Sequence, residues 1–201
     1  MIKKIFLLIF GFVFITGCVS MAVTTNKMTE KVTGSIRTME EVDKDKKLEK
    51  SIRKQVKSDV KIFAEINNMK KVGSYNITVY DSRVLITGII ADARIKNFIY
   101  NKIWEFKGVK EVINELEVSY TDESNSLIDY FISLSVKNRL RFVNGIRSTN
   151  YDVVVSNKRA FVLGIAYSED EMRKVGYVAS TTKGVRDVVI HVILKEDSRR
   201  K

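Results

Sequence analysis

The chain of 201 residues contains no proline, one cysteine, one histidine and one tryptophan. Without proline, no helix or strand meets a ring that breaks its hydrogen bonding. A single thiol excludes an intrachain disulfide. One histidine and one thiol leave Cys/His nucleophilic catalysis and a zinc cluster short of ligands. Acid is in deficit too: 24 Asp and Glu face 35 Lys and Arg, for a formal charge of +11 and a pI near 9.6. That balance favours anionic partners, whether nucleic acid, anionic lipid or acidic protein. No pair of carboxylates has surroundings that suggest general acid/base work. His191 falls on the polar side of a strand pattern, where a solvated role is expected rather than a catalytic one.

What the chain does have is a repeat. The stretch Val79-Tyr80-Asp81-Ser82-Arg83-Val84-Leu85-Ile86-Thr87-Gly88-Ile89 returns as Val155-Ser156-Asn157-Lys158-Arg159-Ala160-Phe161-Val162-Leu163-Gly164-Ile165, offset by 76 residues. The same offset takes Gly108-Val109 to Gly184-Val185, Val112 to Val188, and, upstream, Ile52 to Ile128 and Val60-Lys61 to Val136-Lys137. A fixed period of this kind marks two copies of one small domain, at 49–120 and 125–196, with a charged tail at 197–201. Domains of roughly 70 residues bury only about 60% of their unfolded surface, so the copies are expected to lean on each other.

Copy one opens with a helix capped by Ser51, with Ile52, Val56, Val60, Phe63 and Ala64 on one face. Ile77 and Val79 alternate with polar residues in a first strand. Asp81-Ser82 makes a short turn into a second strand, Val84 to Ile90, where Gly88 points to a bulge or a close approach by a helix. Asp92 caps a second helix with Ile95, Phe98, Ile99, Ile103 and Phe106 inward, stopped by Gly108. Tyr100 and Trp104 are expected in the core or a domain interface. Val112, Asn114, Leu116 and Val118 line one face of a third strand. Copy two repeats the order: a helix from Leu127 to about Val143 capped by Ser126, a hairpin, a capping box Ser168-x-x-Glu171, and a last strand through Val188, Ile190, Val192 and Leu194. The fold class is α+β: two tandem α-β-β-α-β units, each a small mixed three-stranded sheet packed with two helices.

The N-terminus reads as an address. Lys3 and Lys4 precede an apolar run from Ile5 to Ile15, too short for a span of about 20 residues but of the length of a signal-peptide core. Ile15-Thr16-Gly17-Cys18 resembles the lipobox of bacterial lipoproteins. The resemblance implies a signal peptide at 1–17, cleavage before Cys18, lipidation of that cysteine (palmitate among its chains) and an acylated tether at 18–48. Two or more acyl chains anchor stably, because each buried methylene contributes about 0.8 kcal/mol. Position 19 is Val and not Asp, which by resemblance to the usual sorting rule favours the outer membrane.

The α-β-β-α-β order, the glycine in the hairpin strand and the helix closing on Gly-Val-x-x-Val resemble the BON domain of bacterial envelope proteins. A lipobox followed by two such units is similar to the outer-membrane lipoproteins that carry two BON domains. The resemblance implies binding of anionic phospholipid and support of envelope integrity, not catalysis; no cofactor, metal or nucleic acid is expected.

The 76-residue offset also compares the copies. It sets Lys54, Gln55 and Ser58 against Tyr130, Phe131 and Leu134, so the helix at 127–143 gains an apolar patch on a formerly solvated face. Lys137, Arg139 and Arg141 follow toward its C-terminal half. Apolar side chains beside cations suit an interfacial helix. Three readings stay open here: Tyr130, Phe131 and Leu134 enter lipid while the cations meet headgroups, the patch packs against copy one, or it docks an envelope-assembly protein and the chain is a tethered adaptor. The expected location is the periplasmic face of the outer membrane.

Overall fold

The computed structural model describes residues 34–120 and 126–200. The signal peptide, Cys18 and the tether up to residue 33 lie outside them. Each copy forms one three-stranded sheet with two helices. In the first, α1 (Met39–Ile66) leads into β1 (Gly73–Tyr80) and β2 (Arg83–Ile90), then α2 (Ala93–Trp104) and β3 (Glu111–Val118). In the second, α3 (Ser126–Phe142) and a 3-10 turn at Ser148–Asn150 lead into β4 (Tyr151–Ser156) and β5 (Arg159–Ala166), then α4 (Glu169–Ser180) and β6 (Asp187–Leu194). β1 and β4 pair antiparallel with β2 and β5; β3 and β6 pair parallel, because α2 and α4 supply the crossovers.

Each hairpin turns on two residues in the left-handed region: Asp81 and Ser82 (φ 55 and 61), Asn157 and Lys158 (φ 52 and 59). This is the type I′ geometry that matches strand twist, built without glycine. A buried helix aspartate holds each turn. The Asp45 carboxylate accepts the N–H groups of Asp81 at 2.6 Å and Ser82 at 2.9 Å. Asp129 accepts those of Asn157 at 2.8 Å and Lys158 at 2.9 Å. Gly88 does answer a close approach, but from the neighbouring strand: at φ 135, a Cβ there would lie 2.3 Å from Ser74 O. The pairing through Gly88 is continuous, with no bulge.

The first helix begins well before Ser51. Thr38 caps it in a reciprocal box with Glu41, and the exposed Ser51 lies in mid-helix. Residues 39–48, expected in the tether, are helical because this box, and not Ser51, satisfies the free N–H groups. The end signals differ also: Gly108 and Gly184 sit beyond the caps Glu105 and Thr181, in the loops that return to the sheet. At Ser168-x-x-Glu171 only half of the box forms. Ser168 accepts the Glu171 N–H, while the buried Glu171 carboxylate takes the N–H groups of Arg147 and Tyr167.

Val84, Ile86 and Ile90 face α1 and α2 in one core, and Val162 and Ala166 face α3 and α4 in the other. The opposite sheet faces pack on each other. Leu85, Ile113 and Tyr80 meet Phe161, Leu163, Ile165 and Ile193, with Ile36 beside them. The order of layers is helix, sheet, sheet, helix. Each such aliphatic or aromatic side chain contributes about 1.5–3 kcal/mol on full burial. Asn150, fully buried, fastens the segment before α1: its Oδ1 accepts Ile36 N–H and its Nδ2 donates to Gly34 O, both at 2.8 Å. Arg37 lies 3.4 Å above the Tyr80 ring, and burial pushes that phenol up to about 12.

His191 is a correction. It is half-buried, not freely solvated: its Nε2 lies 2.9 Å from Glu115 Oε1, across the interface. These two residues correspond under the 76-residue offset, so an approximate two-fold axis passes beside them. Arg83, 1% exposed, donates to His191 O at 2.9 Å and pairs with Glu111. Its counterpart Arg159 pairs with Glu117 at 2.9 Å. The tail returns to copy one, where Arg200 meets Asp81 at 3.2 Å.

Burial opposes ionisation of Glu117, but hydrogen bonds from Arg159 and Asn157 outweigh it and hold the carboxyl below its ordinary value. A depressed folded pKa stabilises above the unfolded value and loses that stability as pH falls through the folded one. Stability against urea is therefore expected to drop on acidification through the carboxylate range. E117Q should be less stable at neutral pH and flatter below it. A second test concerns the turns. D129A leaves two N–H groups unpaired and is expected to cost about 2–6 kcal/mol in urea denaturation, from about 1–3 per unsatisfied group. S133A, which loses only the hydroxyl bond to Val153 O, should cost less.

Candidate functional site

The clamp aspartates define how the two first helices correspond. Asp45 and Asp129 do the same work and differ by 84 in number, not 76. One helical turn on, Glu49 binds Val79 N–H and Ser133 binds Val153 O, again 84 apart. The repeat offset therefore holds from the hairpin onward and slips by two turns in the helix, where α1 has 28 residues and α3 has 17. Ile52 and Ile128 do not correspond: the first is fully buried and the second 44% exposed. The counterparts of Tyr130, Phe131 and Leu134 become Lys46, Lys47 and Lys50, so the exchange of polar for apolar is sharper than the sequence suggested.

On α3, Asp129, Ile132, Val136 and Leu140 point inward. Leu127, Phe131 and Leu134, spaced i, i+4, i+7, point outward and are 70%, 62% and 41% exposed. Tyr130 beside them is 61% exposed and packs edge-on against Phe131, with centroids 5.7 Å apart. Phe142 extends the apolar surface at the helix end. The patch does not pack against copy one, since the domains meet through their sheets. Leu127 and Phe142 belong to this surface and were missed by reading the helix through the 76-residue offset.

The three cations have different surroundings. Lys137 pairs with Asp152 at 2.8 Å. Arg139 turns to α4 and donates to Val178 O at 2.9 Å and to Thr182 Oγ1 at 2.8 Å, closing the C-terminal end of that helix. Arg141 is exposed, on the same side of α3 as Lys137. The structure thus groups Tyr130, Phe131, Leu134, Lys137 and Arg141 along the outer part of α3 and ties Arg139 to the helix pair.

Beside α3 a groove of about 400 Å³ separates the domains, lined by Glu49 and Arg53 of α1, Tyr75 and Thr78 of β1, and Tyr130, Ser133 and Lys137 of α3. Copy one has its own hollow, of about 540 Å³, between α1 and α2, floored by the stacked rings of Phe63 and Phe98 at 4.3 Å. Tyr100 and Trp104 are surface residues, not core: they meet edge-on at 6.3 Å and are 36% and 45% exposed. They follow the buried stripe Ile95, Ile99, Ile103 by one or more positions and so fall outside it. Among the described residues, no group of three His, Cys, Asp or Glu side chains is placed to hold a metal, and no helix is long and apolar enough to cross a membrane.

Two α-β-β-α-β units joined through their sheets define a tandem-domain protein, and the chain belongs to the BON-domain family. The BON domain profile matches residues 44–120 and 132–196. Over 190 residues, the chain is 28% identical to the outer membrane lipoprotein DolP of Haemophilus influenzae, with 94% of each covered. It is 32% identical over 146 residues to an uncharacterized protein encoded in the gshII 5′ region of Anaplasma centrale, covering 71% of this chain and 95% of that one. Among solved structures, the C-terminal domain of CdsD, a structural protein of the type III secretion system of Chlamydia trachomatis, matches at 16% identity, with 56% of this chain and 52% of that chain covered. Its TM-score is 0.29, too low to carry an argument.

Proposed function

We propose that this chain is a non-enzymatic lipoprotein of the outer membrane, facing the periplasm, whose second BON domain binds anionic phospholipid through α3 and so supports envelope integrity. The observation that carries the reading is the open stripe Leu127, Phe131, Leu134 on α3, standing where α1 has Asp43, Lys47 and Lys50. Three large apolar side chains on one exposed helix face are costly in water and favourable at the boundary of headgroups and acyl chains. Tyr130 enters with them, and its hydroxyl suits the polar side of that boundary. Arg141 and Lys137 meet headgroup phosphates. Arg139 acts indirectly, by holding α3 on α4. Cys18 carries the acyl chains, and the relation to an outer membrane lipoprotein supports that location.

Residues 19–201 contain all the described residues and are expected to float with vesicles of phosphatidylcholine and phosphatidylglycerol, and much less with phosphatidylcholine alone. F131D/L134D should abolish flotation with an unchanged circular dichroism spectrum. If folded parent protein binds neither vesicle, lipid recognition is wrong, and crosslinking from position 131 then shows whether a protein occupies the patch. For the anchor, the chain isolated from membranes should begin at Cys18 with added acyl mass. C18S should lack that mass.

A further inference from the structure

Under the 84-residue correspondence, the groove-side stripe of α3 has a counterpart on α1. On α3 the stripe is Tyr130, Leu134, Lys137 and Arg141; on α1 it is Lys46, Lys50, Arg53 and Lys57. Spacings of four, three and four keep each set on one helix face. All four α1 residues are exposed. Arg53 lines the groove between the domains together with Lys137 and Tyr130. Arg53 and Lys57 also line the adjoining hollow beside β1. Arg53 and its counterpart Lys137 both line the groove, so α1 and α3 flank it from its two sides. Lys46, Lys50 and Lys57 have no carboxylate partner among the described residues; Arg53 has Glu49 at 3.0 Å, which also accepts Val79 N–H.

We infer that α1 of the first BON domain supplies the electrostatic half of one membrane-docking face: the Lys46, Lys50, Arg53, Lys57 stripe meets anionic headgroups while α3, across the groove, inserts its apolar side chains. This rests on the reading of α3 above and adds a role to the domain that lacks the apolar patch. The arrangement follows from what each copy can offer. A helix whose outer positions are lysines cannot enter the acyl region, but its cations act over a Debye length of about 8–10 Å and need no insertion. The α3 stripe has only Lys137, already paired with Asp152, and Arg141. Most of the selectivity for anionic over neutral lipid therefore falls to α1. The rigid sheet-to-sheet interface sets the relative position of the two stripes, so that both can reach one surface.

The test uses residues 19–201 as parent, K46Q/K50Q/K57Q, F131D/L134D, and a control, K70Q/K107Q/K183Q, that removes the same charge away from the α1 stripe. Binding is titrated on phosphatidylcholine vesicles with and without phosphatidylglycerol, over a range of salt. Each stripe lysine is expected to contribute about fivefold on the anionic vesicles at low salt, so the triple variant should bind about 100-fold more weakly, with a shallower salt dependence and unchanged weak binding to neutral vesicles. The control should lose far less, and thermal melting should match the parent for both lysine sets. Equal losses in the stripe variant and the control would overturn the inference in favour of net charge alone, as would a stripe variant that binds like the parent. If F131D/L134D binds like the parent while the stripe variant does not, the α3 reading fails and the α1 stripe stands. If the parent binds no vesicle, both fail.

Discussion

A carboxylate from the first helix of each domain grips the two N–H groups at the tip of the hairpin, and most of the architecture follows from that grip. Asp81, Ser82, Asn157 and Lys158 hold left-handed backbone that side-chain-bearing residues adopt at a cost of about 1–2 kcal/mol each. The turn therefore needs compensation, and charge-assisted hydrogen bonds from a buried Asp45 or Asp129 provide it. Because the aspartate sits at one position of the helix and the turn at one end of the sheet, the bond fixes both the register and the rotation of the helix. Which side chains face water on α1 and α3 is settled there.

With the helices seated on one face of each sheet, the other face is left apolar and must be covered. Each domain covers the other. Leu85 and Phe161 lie on the central strands β2 and β5, which are buried on both sides and carry continuous apolar runs in place of alternation. Polar contacts ring this core: Arg83 on His191 O, Arg159 on Glu117, His191 beside Glu115. The segment from Gly34 to Ile36 is fastened beside the same interface by Asn150. Sheet faces spent on the interface leave the helix faces as the surfaces that can meet a partner.

The duplication is symmetric in scaffold and asymmetric in surface. The clamp, the hairpin, the strand glycines and the crossover recur in both halves. The outer faces of the first helices diverge from Lys46, Lys47 and Lys50 to Tyr130, Phe131 and Leu134. A duplicated scaffold allows one copy to keep a solvated, charged helix while the other presents an apolar one. Arg53 of the first helix and Tyr130 of the second both reach the inter-domain groove, where the two chemistries meet.

The order of elements, the two-fold repetition, the core stripe of α2 and the family were legible in the chain, because periodicities of 3.6 and 2 and a fixed offset are local properties of sequence. The apolar runs through Val84–Ile90 and Phe161–Ala166 also carried the signal of two-sided burial. Other features depended on contacts between distant residues. The early start of α1 came from a box between Thr38 and Glu41, and the 84-residue helix correspondence from carboxylates reaching a turn some thirty residues on. The pairing of His191 came from a partner in the other domain. An ungapped alignment matches the two helix ends, Ile66 and Phe142, which do lie 76 apart, and so cannot see that the clamp carboxylates lie 84 apart. Sequence determined that an apolar patch and a set of cations exist on the first helices; the tertiary structure decided which of them face water, since the clamp carboxylates and the packing beneath them fix the rotation of each helix about its axis.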